Sequence, residues 1–135
     1  MVQPTTAANR DPEFRILIVR GQRVILDSSL AALYGVSTGR FNESVKRNAG
    51  RFPADFSFRI SDKEYASLMS QSAISKPVRG GRRKLPLVFT EHGAIMAASV
   101  LNSPRAIEMS VYVVRAFVRL REVLAGNEQL ARKLA

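Results

Sequence analysis

Between Asp27 and Asn48 the chain reads as a short helix, a three-residue break and a second helix. The first helix carries Leu30, Ala31 and Leu33 on its apolar side, with Asp27 placed to cap its start. Gly35-Val36-Ser37 interrupts the pattern. Ser37 or Thr38 can cap a second helix whose apolar positions, Phe41 and Val45, lie four apart. Two closely crossing helices need a small residue such as Ala31 at the contact. They also need a turn glycine tolerant of positive φ and an apolar Val36 between them. The remaining positions, Ser37, Thr38, Arg40, Asn42, Glu43, Lys46 and Arg47, form a polar face able to meet base edges and phosphates in a major groove. A plain helical hairpin has the same pattern, so the spacing leaves both readings open. Gly39 costs about 1 kcal/mol against alanine in a helix interior and less in a first turn.

The 135 residues, 46% of them hydrophobic, suffice for one domain with an ordinary core. No cysteine is present, which removes disulfide frames and thiolate metal sites and fits a reducing cytoplasm. The longest nearly apolar stretch, Ala94 to Leu101, is far too short for a bilayer. Met1 to Pro12 is polar and holds two prolines, so it reads as a loose arm and not as a signal peptide. The formal net charge is +10. A cysteine-free single domain with that excess most often meets a polyanion. Most of the cations are arginines, whose planar fork suits phosphates and the guanine edge, although a GC-rich genome yields the same bias.

Upstream of the helix pair, Phe14 to Val19 and Arg23 to Leu26 read as a β-hairpin turned at Arg20-Gly21-Gln22. Downstream, Arg51-Phe52-Pro53-Ala54-Asp55 is a turn. Phe56, Phe58 and Ile60 alternate with Ser57 and Arg59, which predicts a half-buried strand. Ser61 and Glu64 make a capping box for a helix from Asp62 to about Ser70. Ser72 to Lys84, with Pro77, Gly80 and Gly81, is a polar loop. Leu85, Leu87 and Phe89 alternate again, and Pro86 predicts an edge strand. Thr90 caps a helix from Glu91 to Leu101. Ser103 and Pro104 then open a last helix running to about Leu124, with Gly126 as its stop and a further helical stretch over Asn127 to Ala135. The expected fold class is α+β, with small β-hairpins in a short antiparallel sheet, a winged-helix-like helix-turn-helix and a long C-terminal helix.

The order of several blocks resembles a known family. Arg20-Gly21-Gln22-Arg23-Val24, Leu30-Ala31-x-Leu33-Tyr34-Gly35-Val36, Val45-Lys46-Arg47-Asn48 and Arg51-Phe52-Pro53-x-Asp55-Phe56 are similar to the phage ORF-six N-terminal domain, which is grouped with the KilA-N and Bro-N domains. Later blocks agree: Ser75-Lys76, Arg79-Gly80-Gly81-Arg82-Arg83, Leu85-Pro86, Phe89-Thr90-Glu91-x-Gly93, Leu101-Asn102-Ser103 and Arg105-Ala106. The likeness runs from about Phe14 to Val123. Gly39 departs from it, since a bulkier or basic residue is expected there. The resemblance implies a DNA-binding domain of a phage or prophage regulatory or antirepressor protein. The resulting division is an N-terminal arm over 1–13, a DNA-binding domain over 14–103 with its helix-turn-helix at 27–48, and a helical segment over 104–135.

Two surfaces could carry that function. The first is the second helix, where Ser37, Thr38, Arg40 and Asn42 would face bases and Lys46 and Arg47 would sit nearer phosphates. The second is the loop Lys76, Arg79, Gly80, Gly81, Arg82, Arg83, Lys84, which holds five cations and no acid. Its glycines let a sugar–phosphate chain come close, as a wing beside the helix-turn-helix would; a solvated loop is the alternative. In the last helix, Ile107, Val111, Val114 and Val118 form one apolar stripe, and Met109, Val113, Phe117, Leu120 and Leu124 another. That width fits either packing under the hairpins or a homodimer through the 104–124 helix.

Catalysis finds little support. His92 is the single histidine, and Asp27, Glu43, Asp55, Glu64 and Glu91 are scattered. No acid pairing suggests a two-metal site, and no phosphate-cradling or nucleophile-elbow motif occurs. The expectation is a non-enzymatic module with no cofactor, no metal and no membrane. Its partner would be double-stranded DNA, bound sequence-specifically or semi-specifically in the cytoplasm of a bacterial host, at the nucleoid. The alternative is an antirepressor that grips a repressor protein without touching DNA. RNA fits less well, since Phe52, Phe56, Phe58 and Phe89 read as core and leave no exposed stacking platform.

Overall fold

A computed structural model describes residues 14–71 and 84–134. The arm at 1–13 and the loop from Ser72 to Arg83 lie outside them. Four short strands form one sheet: β1 (Leu17–Val19), β2 (Gln22–Leu26), β3 (Ser57–Arg59) and β4 (Leu87–Phe89). The described residues also form five α-helices: α1 (Asp27–Tyr34), α2 (Thr38–Arg47), α3 (Asp62–Gln71), α4 (Glu91–Leu101) and α5 (Pro104–Leu134). The architecture is α+β, as the patterning predicts.

The strand order is β1-β2-β4-β3, and every neighbouring pair is antiparallel. β1 and β2 meet in a two-residue turn in which Arg20 and Gly21 both have positive φ, 55° and 74°. Primed turns of that kind match the natural twist of paired strands. β4 is therefore an inner strand and not the edge that Pro86 predicts. Pro86 stops just short of the ladder, where its carbonyl accepts from the Ile60 N–H at 3.2 Å, so its missing donor costs the sheet nothing.

Both faces of the sheet are covered, which explains the unbroken apolar runs of β2 and β4. Ile25 and Phe89 point to the main core with Leu30, Tyr34, Phe41, Val45, Ala94, Val113 and Phe117 from the helices. Val24 and Val88 point the other way, onto Leu68 and Tyr65 of α3. The expected inward aromatic side of β3 is only partly realised: Ser57 is buried, and Phe56 and Phe58 are half-buried. The register decides this: Ser57 pairs with Phe89 on the main-core side, whereas Phe58 pairs with Val88 and packs with buried Ile60 in the α3-side cluster, where the Arg20 guanidinium lies 4.3 Å from the centre of the Phe58 ring.

The capping predictions hold at three helices. Ser37 accepts from the Arg40 N–H at 3.1 Å, Thr90 from the Gly93 N–H at 3.3 Å, and Ser103 from the Ala106 N–H at 3.1 Å. The capping box also closes, with Glu64 N–H to Ser61 Oγ at 3.1 Å and Ser61 N–H to Glu64 Oε1 at 2.7 Å. Asp27 does not cap α1. Leu26 takes the N-cap position and Asp27 is already helical and buried, because its carboxylate is drawn inward by donors from α2 and β4. α5 likewise does not stop at Gly126 but runs unbroken to Leu134. Among the described residues no helix is long and apolar enough to cross a membrane.

Of the two stripes on α5, the one holding Val113 and Phe117 enters the core, with Met109 and Leu120 half-buried beside it and Leu124 exposed. On the other stripe Ile107 and Val111 remain about half exposed, at 51% and 48%.

Candidate nucleic-acid interface

The α1–α2 pair is held from below. Gly35 ends α1 with φ 77°, the left-handed value that glycine adopts without strain. Arg105 packs its aliphatic carbons against this glycine, and its Nε donates to the Leu33 carbonyl at 3.0 Å, a cation set at a helix C-terminus. Phe41 and Val45 anchor α2 in the core, where Phe41 meets Phe89 edge-on at 5.2 Å between ring centres. Asn48 closes the far end of α2 by donating from Nδ2 to the Ser44 carbonyl at 2.8 Å. Tyr34, whose hydroxyl donates to the Ala94 carbonyl at 2.9 Å, fixes α1 to α4; burial pushes its phenol above the usual range.

This anchoring leaves Arg40, Lys46 and Arg47 exposed on α2, with Ser37 exposed at its start and Thr38 half-buried. The Ser37 hydroxyl is committed to capping. Arg47 meets Glu43 one turn back at 3.5 Å, an exposed pair that a stronger anion can displace.

Asn42 is placed differently from its neighbours. Its Nδ2 donates to Asp27 Oδ2 at 3.1 Å, and the same oxygen receives the Leu87 N–H at 3.3 Å. Asp27 is 1% exposed, and its Oδ1 accepts from the Ser28 N–H at 2.7 Å. One carboxylate thus ties the start of α1, the middle of α2 and the start of β4. Asn42 Oδ1 is buried and has no hydrogen-bond partner among the described residues. The sequence reading that turned Asn42 outward and made Asp27 a surface cap missed this tie, since neither residue is apolar.

Beside it runs a cleft of about 580 Å³ between α2 and the β3–β4 pair. Lys46 reaches it from α2, Arg59 from β3, and Lys84 from the residue that re-enters the described structure ahead of β4. Arg59 was not singled out by sequence; its alternation marked it only as outward. The cleft joins Lys84 to the α2 surface, whereas Lys76, Arg79, Gly80, Gly81, Arg82 and Arg83 lie outside the described residues. Among the described residues no group of three or more His, Cys, Asp or Glu could hold a metal ion. His92 is exposed and lies flat against the Phe56 ring, 5.6 Å between centres and 23° between planes.

The model of the ORF6N domain family matches residues 14–100, which takes in the sheet, the α1–α2 pair and all but the last residue of α4. The chain belongs to the ORF6N domain family. Leu101-Asn102-Ser103 and Arg105-Ala106 follow the matched span, and Arg105 nevertheless supports the turn glycine of this ORF6N domain. Neither the curated proteins nor the solved structures give a match.

Proposed function

We propose that this ORF6N domain is a non-enzymatic double-stranded DNA-binding module of a phage-type regulatory protein. α2 would enter the major groove, and its cations together with the basic segment that ends at Lys84 would hold the flanking backbone. The observation that carries the reading is the exposure of Arg40, Lys46 and Arg47 on a helix whose opposite side is locked by Phe41 and Val45, in a chain of net charge +10. A helix so anchored presents its cations with no backbone ordering left to do at the moment of binding. Binding of that kind would place the protein on the host nucleoid.

Titration of a labelled duplex at several salt concentrations tests it. Affinity should fall with salt, each neutralised phosphate adding about 0.9 to the slope of log K against log salt. Arg82→Ala with Arg83→Ala should weaken binding to all sequences alike, and Arg40→Ala should change preference among them. A flat salt response, or no complex near physiological salt, overturns the reading in favour of a repressor-binding module that never contacts DNA.

The half-exposed Ile107 and Val111 on α5 favour a second element of the reading, a homodimer through this helix. Two copies would then address half-sites about one helical turn, roughly 34 Å, apart. Sedimentation equilibrium of the full chain, with Val111→Glu as the disrupting variant, checks it; a wild-type monomer at high micromolar concentration refutes it.

A further inference from the structure

Gly39 lines the cleft between α2 and the β3–β4 pair in the first turn of α2. Its φ is not in the left-handed region, and an added Cβ would meet no atom of the described residues within 4 Å, so the backbone there is open to a close approach from outside.

The cleft also states what that body carries. Lys46, Arg59 and Lys84 line it; one guanidinium nitrogen of Arg59, Nη1, donates to the Leu85 carbonyl, which leaves the other N–H groups of its fork to an incoming anion. The exposed acid beside them, Glu43, is engaged with Arg47 at 3.5 Å, and Asp27 lies almost wholly beneath the surface. Val45, Phe52 and Leu85 supply apolar wall. Cations beside apolar lining suit a sugar–phosphate strand, whose oxygens are anionic and whose pentose faces are not.

We propose that this cleft is the track of one phosphodiester strand of the bound duplex, with Lys46, Arg59 and Lys84 gripping phosphates and Gly39 admitting the strand against α2. The inference rests on the DNA-binding reading above and adds Arg59 and Gly39 to the contact surface. Gly39→Ala separates binding from folding. It should leave the melting temperature unchanged or raise it, while weakening duplex binding about tenfold, roughly what one charge-assisted contact contributes.

Arg59→Gln should lower the salt slope by about 0.9, and Arg59→Lys should restore it. Arg119→Gln, the same loss of charge on α5 outside the cleft, should leave the slope in place. If the wild type binds duplex but Gly39→Ala and Arg59→Gln bind it as well and with the wild-type slope, the track is overturned and the DNA-binding reading stands. If the wild type binds no duplex at any salt concentration, both are overturned.

Discussion

The tie between Asp27 and Asn42 can be measured free of the terms that confuse single substitutions. Asn42→Ala deletes a hydrogen bond to a carboxylate, worth about 1.5–3 kcal/mol. It also deletes the buried Oδ1, which among the described residues has no partner and whose burial costs about 1–3 kcal/mol, so the net loss is small. Asp27→Ala strands Asn42 Nδ2 and the Leu87 N–H, each at about 1–3 kcal/mol. It also relieves the burial of a carboxylate, which costs several kcal/mol. A double-mutant cycle cancels the terms belonging to one residue and leaves their interaction, expected at about 1.5–3 kcal/mol. Urea denaturation at neutral pH, followed by circular dichroism on the wild type, both single variants and the double variant, reads it. Additivity within about 0.5 kcal/mol refutes the pairing. The same samples separate anchoring from base reading. An anchoring Asn42 lowers affinity equally for every duplex when replaced by Ala. A change of sequence preference combined with zero coupling means that the amide faces the DNA and not Asp27.

Glu64 accepts from the Arg20 guanidinium at 2.7 and 3.0 Å and from the Ser61 N–H, and these donors hold its carboxyl at about 2, below the ordinary 4.5. A depressed carboxyl stabilises the fold above its unfolded value, and that stability is lost as pH falls from about 4.5 through about 2. Glu64→Gln should therefore flatten the denaturation midpoint over that window, and an unchanged acid profile refutes the assignment. A Cβ on Gly93 would lie 2.0 Å from the Phe56 carbonyl oxygen, so Gly93→Ala should cost about 3 kcal/mol or more and lower the melting temperature sharply. A melting temperature within a degree of the wild type refutes that close approach.

The α1–α2 helix pair was legible because its signals are local. Gly35, Ser37, Phe41 and Val45 each act within one turn of their neighbours, and the caps Thr90, Ser103 and Ser61–Glu64 work the same way. The misreadings of Pro86, Asp27 and Asn42 concern partners far along the chain. Pro86 looks like an edge residue until β2 is seen to pair on one side of β4 and β3 on the other. Gly126 looks like a stop because propensity speaks for isolated helices, and α5 continues through it regardless.

Asp27 shows most plainly why the candidate site was harder to read than the fold. An acid ahead of an apolar helix has two uses, a cap facing water or a buried acceptor, and local pattern favours the first. What decides between them is whether enough donors converge to offset lost hydration. Here they come from residues 1, 15 and 60 positions away, Ser28, Asn42 and Leu87. The β4 partner is a backbone N–H, which no side-chain motif encodes, so the convergence exists only once the strand order is formed. The consequence reaches α2: the residue that the helical wheel offers to a base is turned to hold the helix, and the ridge beside it, from Gly39 to Lys46, borders the cleft. In such an arrangement the orientation of α2 is set from β4. The middle of α2 and the start of β4 share one rigid reference, the Asp27 carboxylate.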